Sequence, residues 1–196
     1  MIPMTDSHLI ERTLEGDDGA FEMLVIRYEQ PVFRLLCALL PDAASVEDIA
    51  QETFVKVYQS LHRFDLQSEN GFSPWLYTIA RNLAFNWLKQ HRTRGRNHFA
   101  YQEFLKLSKA PSDVDRDETT RRQLMCAAIG RLPKKHRSAL VLSFIEELSH
   151  REIALIEGCS EGTVKSRIFR AKQKLAALLQ ADPEFVNSGG KHENNM

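Results

Sequence analysis

The chain has 196 residues, 26 acids, 26 bases and a formal net charge of zero, with 43% hydrophobic and 27% charged residues; this gives room for one medium domain or two small helical ones of ordinary globular composition. No apolar run approaches the ~18 residues of a membrane span, and the start, MIPMTDSHLIERTLEGDDGAF, lacks a basic segment followed by an apolar core, so neither direct membrane insertion nor a signal peptide is expected. Cys37, Cys126 and Cys159 form no C-x-x-C pair, which argues against a zinc site or a disulfide framework and suits a reducing compartment.

The zero net charge conceals a segregation. Residues 1–70 hold 13 acids against 5 bases, residues 71–110 hold 1 acid against 7 bases, and residues 159–181 hold 1 acid against 5 bases. The two basic blocks lie on helix-like patterns and suit phosphate-rich partners. The acidic block calls for a different kind of partner, such as a protein surface.

In chain order, helical spacing dominates and strand signals are sparse, so the expected fold is all-α, with about six to eight helices. Cys37 and Cys126 lie in apolar stretches and read as buried small hydrophobes. Ser45 with Asp48 resembles a capping box. From Val46 to Leu61, Ile49, Phe54, Val57 and Leu61 turn inward, while Asp48, Gln51, Glu52 and Lys56 face outward. Ser73 and Pro74 read as an N-cap followed by proline at the first helical position. The helix they open places Leu76, Ile79, Ala80, Leu83 and Trp87 on its buried face. Trp75, Asn82 and Asn86 form a stripe beside it, and Arg81, Phe85 and Lys89 lie opposite; Arg92, Arg94 and Arg96 follow. Amides, aromatics and cations on one surface suit single-stranded DNA, because bases stack on rings, amides bond exposed base edges and cations track phosphates.

A polar break, SKAPSDVDRD, separates two apolar-periodic blocks. The expected division is residues 1–100, a flexible linker over 101–119, a second small helical domain over 120–181, and a disordered tail over 182–196. In the second domain, Pro133 can open a helix. Ser149 and Glu152 make a full capping box, placing Ile153, Ala154 and Ile156 inward. Gly158 fits a helix C-cap and Ser160 caps a second helix. Val164, Ile168, Ala171, Leu175 and Leu178 form one buried stripe on that helix. Its other side carries Thr163, Lys165, Ser166, Arg167, Phe169, Arg170, Lys172 and Lys174. Two helices joined by a tight turn, the second of them basic, form a helix-turn-helix pattern. Arg and Lys can bond guanine O6 and N7, and an exposed aromatic can touch a thymine methyl.

The string LPKKHRSALVLSFIEELSHREIALIEGCSEGTVKSRIFRAKQKL resembles region 4 of the extracytoplasmic-function sigma factors, a branch of the sigma-70 family. The N-terminal strings DGAFEMLVIRYEQPVFRLLCALLPDAASVEDIAQETFVKVYQSLHRFD and GFSPWLYTIARNLAFNWLKQHRTRGR resemble region 2 of the same family. The resemblance implies an alternative sigma factor, cytoplasmic, that binds RNA polymerase core and directs promoter-specific initiation. Region 4 would meet the −35 element through Thr163, Lys165, Ser166, Phe169 and Arg170, with Arg167 on phosphate. Region 2 would meet the −10 element through Trp75, Arg81, Asn82, Asn86, Lys89 and Arg92, and the loop Asp65–Ser73 would capture an unstacked base. Asp48, Gln51 and Glu52 would dock on the clamp helices of the polymerase β′ subunit, and the β flap would be a further contact. The resemblance also implies an anti-sigma factor that can hold the protein at the inner membrane. Rival readings are a free-standing repressor or activator, which predicts dimerisation and a palindromic operator, and an enzyme. Scattered histidines without metal-ligand spacing and the lack of a glycine-rich phosphate loop speak against the enzyme, and no cofactor or metal is expected.

Overall fold

The computed structural model describes residues 4–91, 125, 127–144 and 146–181, and among them the chain is helical with no strand. Helix α1 spans Asp6–Leu14, α2 Asp18–Leu39, α3 Ala43–Ser60 and α4 Phe72–Gln90, with a single 3-10 turn at Leu61–Arg63. In the C-terminal half, α5 spans Lys134–Phe144, α6 His150–Glu157 and α7 Glu161–Gln180.

Side-chain caps set most of these boundaries. Thr5 accepts from the His8 amide to start α1, and Asp17 accepts from the Ala20 amide to start α2, each satisfying an amide that has no partner within its helix. The cap of α3 is Asp42, whose carboxylate accepts from the Ser45 amide at 2.9 Å. Ser45 is therefore not the cap: it is buried in the first turn, and its hydroxyl is turned back to Asp42. An aspartate in extended backbone three residues earlier caps as well as serine does, so the helix starts sooner than expected.

The start of α4 also differs from the Ser73–Pro74 reading. Gly71 is the N-cap, at φ +70°, and the helix begins at Phe72. That left-handed turn lets Phe72 enter the core, where its ring meets Tyr28, Phe64 and Trp75 at centroid separations of 5.4–5.7 Å. Pro74 still falls in the first turn, where its missing N–H costs nothing. Pro133 stands just before α5, and its carbonyl accepts from the His136 and Arg137 amides.

The main core joins α1–α4 through fully buried Leu9, Leu24, Leu35, Leu36, Leu39, Leu61 and Leu76. Each such side chain contributes roughly 1.5–3 kcal/mol relative to exposure. Cys37 is buried as expected, and burial pushes its thiol up to about 12; Cys126 lies outside the described residues. The same core continues into the C-terminal half through Ala139, Leu142, Ile153, Ala154, Ile156, Val164 and Ile168. Helix α5 packs on α2, and α6 packs on α4. A smaller cluster of Ile129, Leu132, Leu140 and Ala171, with Leu175 and Leu178 against it, holds α7 to the rest of the C-terminal half.

The buried face of α4 is correspondingly wider than one stripe. It consists of Phe72, Leu76, Tyr77, Ala80, Ala84 and Leu88. Ile79, Leu83 and Trp87 lie at its edge, only partly buried. Trp87 thus departs from its expected core place and stacks on His91 with ring centroids 4.2 Å apart.

Candidate nucleic-acid interface

The C-terminal helix pair is built as its sequence indicates. Ser149 Oγ accepts from the Glu152 amide at 3.2 Å, and Glu152 Oε2 accepts from the Ser149 amide at 2.8 Å, a reciprocal capping box. Gly158 ends α6 at φ +60° and ψ +44°, a left-handed cap that glycine adopts without penalty. The Cys159 amide then bonds back to the Ala154 carbonyl at 3.0 Å. Ser160 accepts from the Thr163 amide at 3.3 Å and starts α7. Val164, Ile168 and Ala171 are buried and fix the rotation of α7.

That rotation leaves Lys165, Ser166, Phe169 and Arg170 exposed on one side. Phe169 is 61% exposed, which folding alone does not require. Thr163 is half-buried, and its hydroxyl lies 3.0 Å from Ser160 Oγ. Arg167 differs from its neighbours: its guanidinium is turned inward and donates to Glu157 Oε2 at 2.9 Å. Lys172 sits over the Phe144 ring at 4.4 Å. The field of this surface is registered by His136, whose ring is held below its ordinary pKa by burial and by the cations Lys174, Arg170 and Arg167.

On the N-terminal half, a cleft of roughly 280 Å³ opens beside the first turns of α4, lined by Arg63, Asp65, Ser68, Asn70 and Trp75, among others. The loop forming it is shaped by its own polar groups. Asp65 accepts from the Gln67 amide at 3.0 Å, and Ser68 Oγ accepts from the Asn70 amide at 3.4 Å, the local bonding that favours Asp and Ser in turns. Trp75 forms one wall, half-buried against Phe64 with centroids 5.3 Å apart. The cleft matches the small end of ligand sites and suits one planar heterocycle.

Farther along α4, Asn82, Asn86 and Lys89 are exposed. Arg81 does not stand clear of the protein as the helical spacing suggested. Its guanidinium covers the Phe85 ring at 4.6 Å and reaches Glu157 across the two halves of the chain, Nε to Oε1 at 3.3 Å. A contact from residues 76 positions away has captured it, which periodicity does not report. Arg92 lies outside the described residues. On α3, Asp48, Gln51, Glu52 and Lys56 are exposed, while Ile49 and Val57 are buried and Phe54 partly so; Leu61, in the 3-10 turn that follows, is also buried. Tyr58 and Val55, 48% and 56% exposed, lie on the same helix.

Two matches to known families decide which protein class carries this geometry. The pattern of the Sigma-70 region 2 family matches residues 24–94, and that of the Sigma-70 region 4 family matches residues 122–175. The ECF RNA polymerase sigma-E factor of Escherichia coli K12 is 36% identical over 186 residues, covering 90% of this chain and 95% of that protein. The chain belongs to the extracytoplasmic-function branch of the sigma-70 family. Solved structures agree with the sigma fold. CnrH, in complex with the cytosolic domain of CnrY, aligns with a TM-score of 0.68 and 28% identity over 90% of this chain and 98% of that one. The sigma factor RpoE of Bartonella quintana, in complex with the anti-sigma factor NepR, aligns at 0.62 and 25% identity over 83% and 98%. The protein is thus an alternative sigma factor, a subunit that directs promoter-specific initiation by RNA polymerase.

In this sigma factor, sequence reasoning missed two acidic residues that organise the site, Glu146 and Glu157. Glu157 is buried, with its side chain 0% exposed. Its position held a signal: an acid in the last turn before a glycine cap sits at the negative end of a helix dipole. A carboxylate placed there needs cations from elsewhere, and Arg81 and Arg167 supply them.

Proposed function

We propose that this sigma factor grips a promoter at two separate points. One is the −35 duplex, met by α7 through Thr163, Lys165, Ser166, Phe169 and Arg170, with Arg167 on phosphate. The other is the melted −10 strand, met through Trp75, Arg81, Asn82, Asn86 and Lys89 of α4 and through Arg92, with one unstacked base entering the cleft at Asp65–Ser73. The observation that carries this reading is the pairing, in one chain, of a capped helix-turn-helix whose exposed face mixes cations with Phe169 and a second helix edged by a base-sized cleft. Extracting a base costs a few kcal/mol, and a preformed cleft with an aromatic wall and a few polar groups offsets that cost.

The functional division is region 2 over 1–100, a linker over 101–119, region 4 over 120–181 and a tail over 182–196; linker and tail lie outside the described residues. Asp48, Gln51 and Glu52 dock on the β′ clamp helices of the polymerase, and region 4 meets the β flap. The protein works in the cytoplasm as a non-enzymatic subunit, drawing its free energy from DNA and protein contacts. An anti-sigma factor restrains it and can hold it at the inner membrane; the solved relative bound to an anti-sigma factor supports this partner.

Run-off transcription with core polymerase tests the reading. Addition of this chain should produce discrete transcripts from a subset of promoters on genomic templates. A competent core that yields no promoter-specific product with it would refute the assignment.

A further inference from the structure

Packing of the C-terminal helices leaves an apolar groove of roughly 300 Å³ open on their surface. Its walls are Met125 and Ile129 ahead of α5, Leu140 and Phe144 of α5, and Lys172 and Leu175 of α7. Ile129 and Leu140 are buried beneath it, whereas Phe144 stands at its lip, 53% exposed. Among the described residues that line it, Lys172 is the one charge, and its ammonium lies over the Phe144 ring at 4.4 Å. None of Lys165, Ser166, Phe169 and Arg170 lines the groove, so the proposed −35 contact does not account for it. An open apolar groove with a large ring at its edge marks a binding surface.

We propose that the occupant is the chain's own segment Asp182–Val186, with Phe185 seated between Phe144 and Leu175 and Glu184 paired with Lys172. Three observations point to it. The first is reach. Helix α7 ends at Gln180, and Ala181 caps it. From Ala181 back to Leu175 is about 9 Å along the axis, and back to Lys172 about 14 Å, at ~1.5 Å per residue. The four residues from Ala181 to Phe185 span up to about 14 Å, which matches. Pro183 lacks the N–H that a further helical turn needs, and so favours departure from the α7 axis at this point.

The second observation is composition. Phe185 and Val186 are adjacent, and Met196 is the one other hydrophobic residue of 182–196. The third is charge. Asp182 and Glu184 flank the segment with no base before Lys191, and the groove they would border carries Lys172, with Lys174 exposed nearby on α7.

Magnitudes favour a tethered occupant over a second molecule. One aromatic side chain buries about 150–250 Å², far short of the ~1,000 Å² that a separate partner needs for stable association. A short tether holds the segment at an effective concentration in the mM range, so the same small contact suffices within one chain. An apolar partner that uses this groove must first displace Phe185.

Photocrosslinking on the full chain tests the proposal. With p-benzoylphenylalanine in place of Phe185, irradiation should join residue 185 to peptides carrying Leu140–Phe144 or Lys172–Leu175, and mass spectrometry reads the sites. A mixture of 15N-labelled and unlabelled chains separates links within a chain from links between chains. Links between chains would give the groove to a second copy and overturn the proposal, as would links confined to other segments or none at all. Hydrogen exchange gives an independent reading. Phe185→Ser should speed exchange of the Lys134–Phe144 amides about tenfold while leaving α1–α4 unchanged, and Phe185→Leu should stay near the wild type. Unchanged exchange in Phe185→Ser, or an increase shared equally by α1–α4, would also refute docking of the tail.

Discussion

Arg170 and Arg167 lie one turn apart on α7, and their environments give them different work. Arg167 is 84% covered, its side chain only 16% exposed and bound to Glu157, whereas Arg170 is exposed beside Phe169. An exposed guanidinium midway along a recognition helix can reach a guanine edge with two parallel hydrogen bonds, a contact that discriminates by about 1–3 kcal/mol. Arg170→Ala should therefore lose about that much affinity on the preferred −35 duplex and much less on a duplex altered at the contacted base, measured by anisotropy on a panel of single-base variants. Equal loss on every duplex would make it a phosphate contact, the role proposed for Arg167. Phe169 has no comparable directional bond to offer, so its contribution is apolar contact with a base or methyl group.

Gly158 sets the angle between α6 and α7, and the element stands or falls on its backbone. A Cβ added there meets nothing within 4 Å, yet φ is +60°, so Gly158→Ala carries conformational strain without a clash. The expected cost is about 1–2 kcal/mol, seen as a lower urea midpoint with an unchanged slope. A slope change would indicate that the turn rearranges instead. This helix pair was legible in the sequence because its determinants are local: the Ser149–Glu152 box, the Gly158 cap, the Ser160 cap and the Val164–Ile168–Ala171 stripe all act within a few residues. The exposed polar face of α3 was legible for the same reason. The face of α4 was not, because two different halves of the chain bury it. Tyr77 is buried against Glu146, and burial, together with that carboxylate, drives the phenol far above its usual pKa; that partner lies 69 residues away. Periodicity reports that a helix has an apolar side, but not that a second surface will close over its flank and take Arg81 with it. The helix starts at Asp42 and Gly71 were misplaced for a smaller reason, that several residues in each loop are competent caps and tertiary packing of Ser45 and Phe72 chooses among them.

At the scale of the whole molecule, the segregation of charge assigns partners that the zero net charge hides. Lys89 of α4 and Lys165 and Arg170 of α7 are exposed on the proposed DNA surfaces, while α3 presents Asp48, Gln51 and Glu52 to solvent. Tyr58 and Val55 on α3, with Met23 and Ile26 on α2, are large apolar side chains left outside the core. Apolar residues exposed near acids have the make-up of an interface, with a hydrophobic centre and a charged rim. Reversing two rim charges should leave the fold unchanged, because exposed substitutions away from caps and ion pairs typically alter stability by no more than about 0.5 kcal/mol. Against a basic partner surface, the same reversal places like charges together at a cost of several kcal/mol. Asp48→Lys with Glu52→Lys should thus lower affinity for core polymerase by at least about tenfold, mainly through a slower association rate, with helicity and melting temperature retained. Raising salt should shrink the difference between variant and wild type, since it screens exposed charges over about 10 Å. Wild-type affinity in the double variant would move the docking face off α3, while a loss that persists undiminished at high salt would place it in apolar contact through Tyr58 and Val55 instead of the acidic rim.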